Sequence, residues 1–279
     1  MTLPKDTDQI PERRSPGDMA KASGPPGLFA NDRSTSRSGT ADAGSTQSPA
    51  SEWPADGGWV DRWLSSPRLA SYLAAAGGDR LAALVLYEWN ARVAAALLHD
   101  LCHLEIGLRN AYDSALCAAW KGSRHWIYTA DTAMFVPLLR TRSGRRIDVN
   151  AKPRNAVTAA IRAAGGPSAK PGKIVAELGF GFWRYLSSAS HEKTLWVPYL
   201  HRAFPSGTDR RDVDGRVGRM HVVRNRAAHH EPLFRLDLAV ILADLRFLAH
   251  LMAPPLADYV TATSWVPALI AARPPGVGS

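Results

Sequence analysis

The run Arg224-Asn225-Arg226-Ala227-Ala228-His229-His230-Glu231-Pro232 sets a permanent cation, a carboxamide and two imidazoles close together and then stops with a proline. Arginine grips a phosphate through a planar fork of donors. Histidine is the side chain that both takes and gives a proton near neutral pH. These residue types together point to phosphodiester chemistry.

Spacing constrains that reading. At roughly 100° per residue, His229 lies about 140° round a helix from Arg224, so one continuous helix does not aim both at one atom. Two routes bring them together. The helix can unwind at His229, which Pro232 favours by disfavouring helical geometry at Glu231. Alternatively, two copies of the chain can each supply half of the groups across a dimer.

The string RNRAAHHEPLF resembles the C-terminal signature of the Abi-like (abortive infection) proteins of the all-helical HEPN superfamily. That pattern is an Arg, a polar residue, three residues and a His, met here by Arg224, Asn225 and His229. Two further blocks resemble the family in the same order. One is Leu86-Tyr87-Glu88-Trp89-Asn90 leading to Leu104-Glu105-Ile106-Gly107-Leu108-Arg109-Asn110. The other is Val175-Ala176-Glu177-Leu178-Gly179-Phe180-Gly181-Phe182-Trp183. The likeness spans residues 59–252.

The resemblance implies an all-α, HEPN-like helical bundle of long antiparallel helices and a metal-independent endoribonuclease. RNA carries its own nucleophile, the ribose 2′-OH, so such an enzyme needs mainly to move protons and stabilise charge on phosphorus. His229 is the expected general acid or base, with His230 as its substitute. Arg224 is expected to hold the non-bridging oxygens, and Asn225 to orient the phosphate or His229. Glu231 would fix a neighbouring imidazole or stand as a solvated residue before proline. Glu105, Arg109 and Asn110 would support the site from another helix, or Glu105 and Arg109, four apart, would form a plain helix-stabilising ion pair. The resemblance also implies a homodimer, an antiphage or toxin–antitoxin role, and a controlling antitoxin protein or noncoding RNA. The competing expectation is a non-catalytic helical module that binds RNA or a partner.

Charge agrees with an RNA partner. The chain has 279 residues and a formal charge of +9. Residues 1–52 hold six basic and seven acidic side chains, so the remainder carries 28 − 18 = +10. Between Arg140 and Lys173 there are nine basic residues against Asp148 alone. Arg140, Arg142, Arg145 and Arg146, joined by Arg219 and Arg226, are the expected RNA contacts.

No cofactor and no metal is expected. His99 and His103 share a helix face, but the glutamate of the zincin pattern is absent between them. Cys102 and Cys117 sit about 22 Å apart along one expected helix, too far to pair. That fits a reducing, cytoplasmic protein, as does the lack of an apolar leader. Asp237, Asp244, Arg246 and His250 interrupt the apolar stretch near 236–252 and argue against a membrane span.

The elements that must position these residues read as helices. Residues 1–52 are rich in Ser, Gly, Pro and Ala and are expected to be disordered, as are 273–279, leaving a helical domain over 53–272. Trp59–Ala76 reads as helix, with Ser65 or Ser66 capping and Gly77-Gly78 ending it. Asp79 caps a segment that Asn90 is expected to interrupt before a long helix over 91–120. Val93, Leu97, Leu101, Leu104 and Leu108 form its apolar stripe. Pro153 and Gly165-Gly166 delimit a short helix flanked by loops, and no strand is expected. Phe180, Phe182, Trp183 and Tyr185 read as core. Helices are expected over 190–204, 209–228 and 236–252, with a short helical tail.

Overall fold

In the computed structural model, residues 58–275 are described. The tail expected over 1–52 lies outside the described residues, as do 276–279. Helix dominates, which agrees with the all-α class expected from the sequence.

The fold is organised around α3, Arg80–Ala119, a single helix of 40 residues and therefore about 60 Å long. Asp79 starts it by accepting the amides of Leu81 and Ala82. The helix runs unbroken through Asn90, contrary to expectation. Asn90 is turned inward and only 2% exposed, and its amide meets the backbone of a distant segment instead of competing with its own helix. Val93, Leu97, Leu101, Leu104 and Leu108 are all buried, and Tyr112 and Leu116 extend the stripe. Each such side chain stabilises the fold by about 2 kcal/mol through burial. By length and composition alone, α3 is apolar enough to cross a membrane. Here its apolar face forms the core of the bundle.

Two short helices precede it, α1 (Gly58–Leu64) and α2 (Ser66–Ala75). The start expected at Ser65 or Ser66 falls at Ser65, which precedes α2 with Pro67 in the first turn; its φ is 62° and its side chain makes no capping hydrogen bond. Beyond α3, the connection leads through a 3-10 turn (Trp126–Thr129) and a π turn (Ala130–Met134) to a β-hairpin. Its strands are β1 (Leu139–Arg142) and β2 (Arg145–Asp148), paired Leu139↔Asp148 through Arg142↔Arg145. This region was expected to be loop. Ser143 (φ 48°) and Gly144 (φ 75°) both take positive φ, the geometry that matches a two-residue turn to the strand twist.

Helix α4 (Ala151–Ala163) follows the hairpin, then α5 (Pro171–Ala176) and α6 (Phe180–Leu186). Phe180, Phe182 and Trp183 are buried, as the sequence indicates, and the Trp183 indole donates to the Leu178 carbonyl at 3.0 Å. The helix expected over 190–204 is instead a chain of short 3-10 and π turns between Ala189 and Ala203.

Helix α7 (Arg210–Ala228) opens with Asp209 accepting the Arg211 amide. Helix α8 (Leu238–Met252) opens with Asp237 accepting those of Ala239 and Val240. Both bounds lie within two residues of the sequence reading. Helices α3, α7 and α8 pack against one another, and α9 (Pro254–Thr263) and α10 (Val266–Ala271) close the chain against α8 and α3. Buried Asp244 of α8 receives the guanidinium groups of both Arg216 and Arg219 of α7, which ties these two helices together.

Candidate functional site

The end of α7 is built by a backbone motif with an unusual residue at its pivot. The Glu231 amide donates to the Arg226 carbonyl at 2.8 Å, and the His230 amide to that of Ala227 at 3.1 Å. This pattern needs a left-handed residue between helix and loop, commonly glycine. His230 fills that place with φ 55°. The chain therefore leaves the helix at His230, not at His229 as the first route supposed. His229 keeps near-helical angles (φ −94°, ψ 9°), and its amide still reaches the Asn225 carbonyl at 2.9 Å.

Asn90 fixes the segment that follows. Its Oδ1 accepts the amides of Leu233 at 2.6 Å and Phe234 at 3.3 Å, while its Nδ2 donates to the Glu231 carbonyl at 3.3 Å. A buried carboxamide on α3 thus satisfies three backbone groups just past the histidines. The rings of His229 and His230 are exposed, and neither makes a hydrogen bond or ion pair among the described residues.

Arg224 lies one turn earlier. Its Nε stands 4.0 Å from Oε2 of Glu105 on α3, close enough for attraction but too far for a hydrogen bond. Glu105 thus faces the Arg224 helix. Arg109 instead donates from Nε to Oδ1 of its own neighbour Asn110 at 3.3 Å, and Asn110 is exposed. Among the described residues no hydrogen bond or ion pair joins Arg109 or Asn110 to Arg224.

The Asn225 side chain turns away from His229. Its Nδ2 lies 3.2 Å from Nε2 of His221, one turn back on α7. The His221 ring meets Phe180 edge to face and fits against Gly181, where an added Cβ would come within 3.2 Å of Nε2. Burial, followed by the nearby Arg184 and Arg224 cations, pushes the His221 pKa below the usual histidine value, which keeps the ring neutral at pH 7. His221 is thus an imidazole of this site that the motif alone did not reveal. The available sign was its helical spacing of four from Asn225.

The arginines differ in how firmly they are held. Arg216 and Arg219 are engaged by Asp244, and Arg226 lies 3.3 Å from the Glu231 carboxylate. Glu231 therefore meets a cation rather than an imidazole. Arg140, Arg145 and Arg146 are exposed on the hairpin, where the ladder places Arg145 opposite Arg142 and Arg146 opposite Thr141.

A second cluster escaped the sequence reading. Asp113 and Cys117 on α3 meet His125 at the start of the following 3-10 turn. Burial, then Asp113, raises the Cys117 thiol pKa, and burial likewise raises that of Cys102. His99 and His103, by contrast, pack ring against ring, and His103 packs on Tyr259.

Comparison of the chain with protein-family models, with curated proteins and with solved structures found no match.

Proposed function

We propose that the protein is a metal-independent endoribonuclease that cleaves RNA with Arg224 and His229. The observation that carries this reading is the contrast at the end of α7. The imidazoles of His229 and His230 are exposed without a protein partner among the described residues, and Arg224 is held only loosely by Glu105, whereas Arg216 and Arg219 are clamped by Asp244. The resemblance of the surrounding motif to HEPN proteins points the same way.

In this reaction an imidazole takes the proton of a ribose 2′-OH, whose oxygen then attacks the adjacent phosphorus. The bond to the 5′-oxygen breaks, and that oxygen leaves with a proton. The products are a 2′,3′-cyclic phosphate and a 5′-hydroxyl. Arg224 donates to the non-bridging oxygens as negative charge grows there. Asn225 holds neutral His221 beside that arginine and so helps to fix the surface on which the phosphate rests. In the cell, such an activity fits a cytoplasmic antiphage or toxin–antitoxin system restrained by an antitoxin protein or noncoding RNA.

Within one chain, His229 is still about 140° from Arg224 on the helical trace, so the reading requires a homodimer in which one copy's arginine meets its partner's histidine. Val222 on α7 and Val240 on α8 are exposed apolar side chains beside this region, suited to such a contact. The test is cleavage of end-labelled RNA by Arg224→Ala, by His229→Ala and by their mixture. Each variant alone is expected to lose at least a hundredfold in rate, and subunit exchange between them to restore part of it. Full cleavage by both purified variants would falsify the enzyme reading. RNA binding with no cleavage by the wild type would favour a non-catalytic RNA-binding module.

A further inference from the structure

We propose that Asp113, Cys117 and His125 form a binding site for one zinc-type divalent transition-metal ion, separate from the phosphodiester site. A carboxylate oxygen, a thiol sulfur and a ring nitrogen from these residues all lie within 4.8 Å of one another. The Cys117 sulfur is 3.1 Å from His125 Nε2, which is 3.4 Å from Asp113 Oδ1. Ligand bonds of about 2.0–2.3 Å at tetrahedral angles put neighbouring ligand atoms about 3.3–3.6 Å apart. The nitrogen–oxygen separation already meets that edge, and the sulfur has to move away from the nitrogen by a few tenths of an ångström. The sulfur and the carboxylate, within 4.8 Å of each other, close on the ion by side-chain rotation. Thiolate, imidazole and carboxylate together suit zinc better than magnesium or calcium, which prefer oxygen alone.

The surroundings prepare the three groups. Asp113 and Cys117 are four apart and share a face of α3 near its end. The chain then turns back through residues 120–125, held by the Trp120 indole donating to the Arg124 carbonyl at 2.9 Å. The buried Trp126 indole donates to Asp113 Oδ1 at 2.6 Å, which orients the carboxylate as outer partners commonly do for metal ligands. Cys117 is exposed, so water can reach the cluster and complete a fourth position.

Metal capture has a defined proton balance. The Cys117 thiol proton leaves to solvent, and the His125 ring carries its proton on Nδ1 so that Nε2 can bind the ion. Nδ1 accepts the Ile127 amide at 3.3 Å in the metal-free arrangement, and that long contact is given up. The ion would fasten the 120–125 turn to the end of α3. Asp113 is eight residues beyond Glu105, about 12 Å along the helix axis, so the ion sits apart from the Arg224 chemistry.

The experiment uses the untagged full chain, stripped with a chelator and titrated with cobalt(II). One equivalent is expected to give visible d–d bands of a four-coordinate ion together with a thiolate-to-cobalt charge-transfer band, and zinc is expected to abolish both. Cys117→Ser should remove the charge-transfer band and weaken binding at least tenfold, and Asp113→Asn should weaken it as well. Cys102→Ser should bind as the wild type does. Residues 1–57 contain neither His nor Cys, so they supply no competing soft ligand. Should Cys117→Ser not fold, Cys117→Ala replaces it. A folded wild type that shows no charge-transfer band overturns the proposal. So does a band that survives loss of the Cys117 thiol, or cobalt bound without thiolate character.

Discussion

The side-chain oxygen of Asn90 accepts the Leu233 amide at 2.6 Å, joining the middle of α3 to a segment 143 residues away. The same carboxamide satisfies Phe234 and Glu231. Asn90→Ala strands these backbone groups in a buried setting and is expected to cost about 2–3 kcal/mol. Urea unfolding followed by circular dichroism reads this as a lower midpoint. Asn90→Asp keeps the acceptor but loses the donor and buries a charge, so it should not rescue stability. A wild-type midpoint for Asn90→Ala would show that water satisfies the segment equally well.

Stability should also fall in mild acid. His191 is fully buried, with Nε2 on Asn150 Oδ1 at 2.7 Å and Nδ1 facing the Ser188 hydroxyl and the Tyr185 carbonyl. Burial first, and Arg140 to a lesser degree, lower its pKa against the opposing pull of the Tyr185 carbonyl. His221 is lowered too, again chiefly by burial. As pH drops past about 6.5, the unfolded chain binds protons before these folded histidines do. Their contribution is therefore intact above that pH and is lost as pH falls towards and through the folded values. Asp61 and Asp148 have lowered values as well, so their loss comes only near and below 3.8. Denaturation midpoints should decline from just above to below about pH 6.5, and His191→Gln should flatten part of that decline. An equal slope in wild type and variant would remove His191 from the account.

The hairpin prediction concerns salt. Arg140, Arg145 and Arg146 are exposed, so replacing all three with Ala removes no buried side chain, and only Arg140 of the three acts electrostatically on a buried group, His191. Each phosphate contact on single-stranded RNA contributes about 0.7 to the slope of log affinity against log salt. If all three touch phosphate, the triple variant should bind an RNA oligonucleotide more weakly and with a slope shallower by about 2. Fluorescence anisotropy at several salt concentrations measures both quantities. Unchanged affinity and slope in the folded variant would make the hairpin an ordinary solvated surface.

The long helices were legible in the sequence because their signals are local. Asp79 announces a helix start and accepts amides there, and Asp209 and Asp237, which do not stand out as caps in the sequence, accept amides in the same way. The stripe from Val93 to Leu108 identifies the buried face of α3. Asn90 misled because a polar residue in an apolar pattern reads as a break unless its distant partners are known. The hairpin was missed because its four-residue strands are short and arginine-rich, without the apolar face of a core strand, leaving only the Ser143-Gly144 turn as a sign. At the site, Arg224, Asn225 and His229 were visible as a motif and Glu105 as a helix-face partner. His221 needed Gly181 and Phe180 from another element to stand out, and the Asp113, Cys117 and His125 cluster needed a chain reversal that spacing alone does not specify.

His230 offers a way to separate the two adjacent imidazoles. Its φ of 55° is a conformation that costs a non-glycine residue roughly 1–2 kcal/mol, and the capping bonds of α7 require it. Glycine relieves that cost but loses more chain entropy on folding, so His230→Gly is expected to stabilise by about 0.5–1 kcal/mol. A β-branched residue suffers more in that region, so His230→Val should destabilise by about 1 kcal/mol or more. If His229 performs the proton transfer, His230→Gly should be more stable than the wild type and still cleave RNA, while His229→Ala stays folded and does not. The opposite pattern, with cleavage lost in His230→Gly and kept in His229→Ala, would move the proton-transfer role to the strained residue. The left-handed backbone would then be what aims the reactive ring.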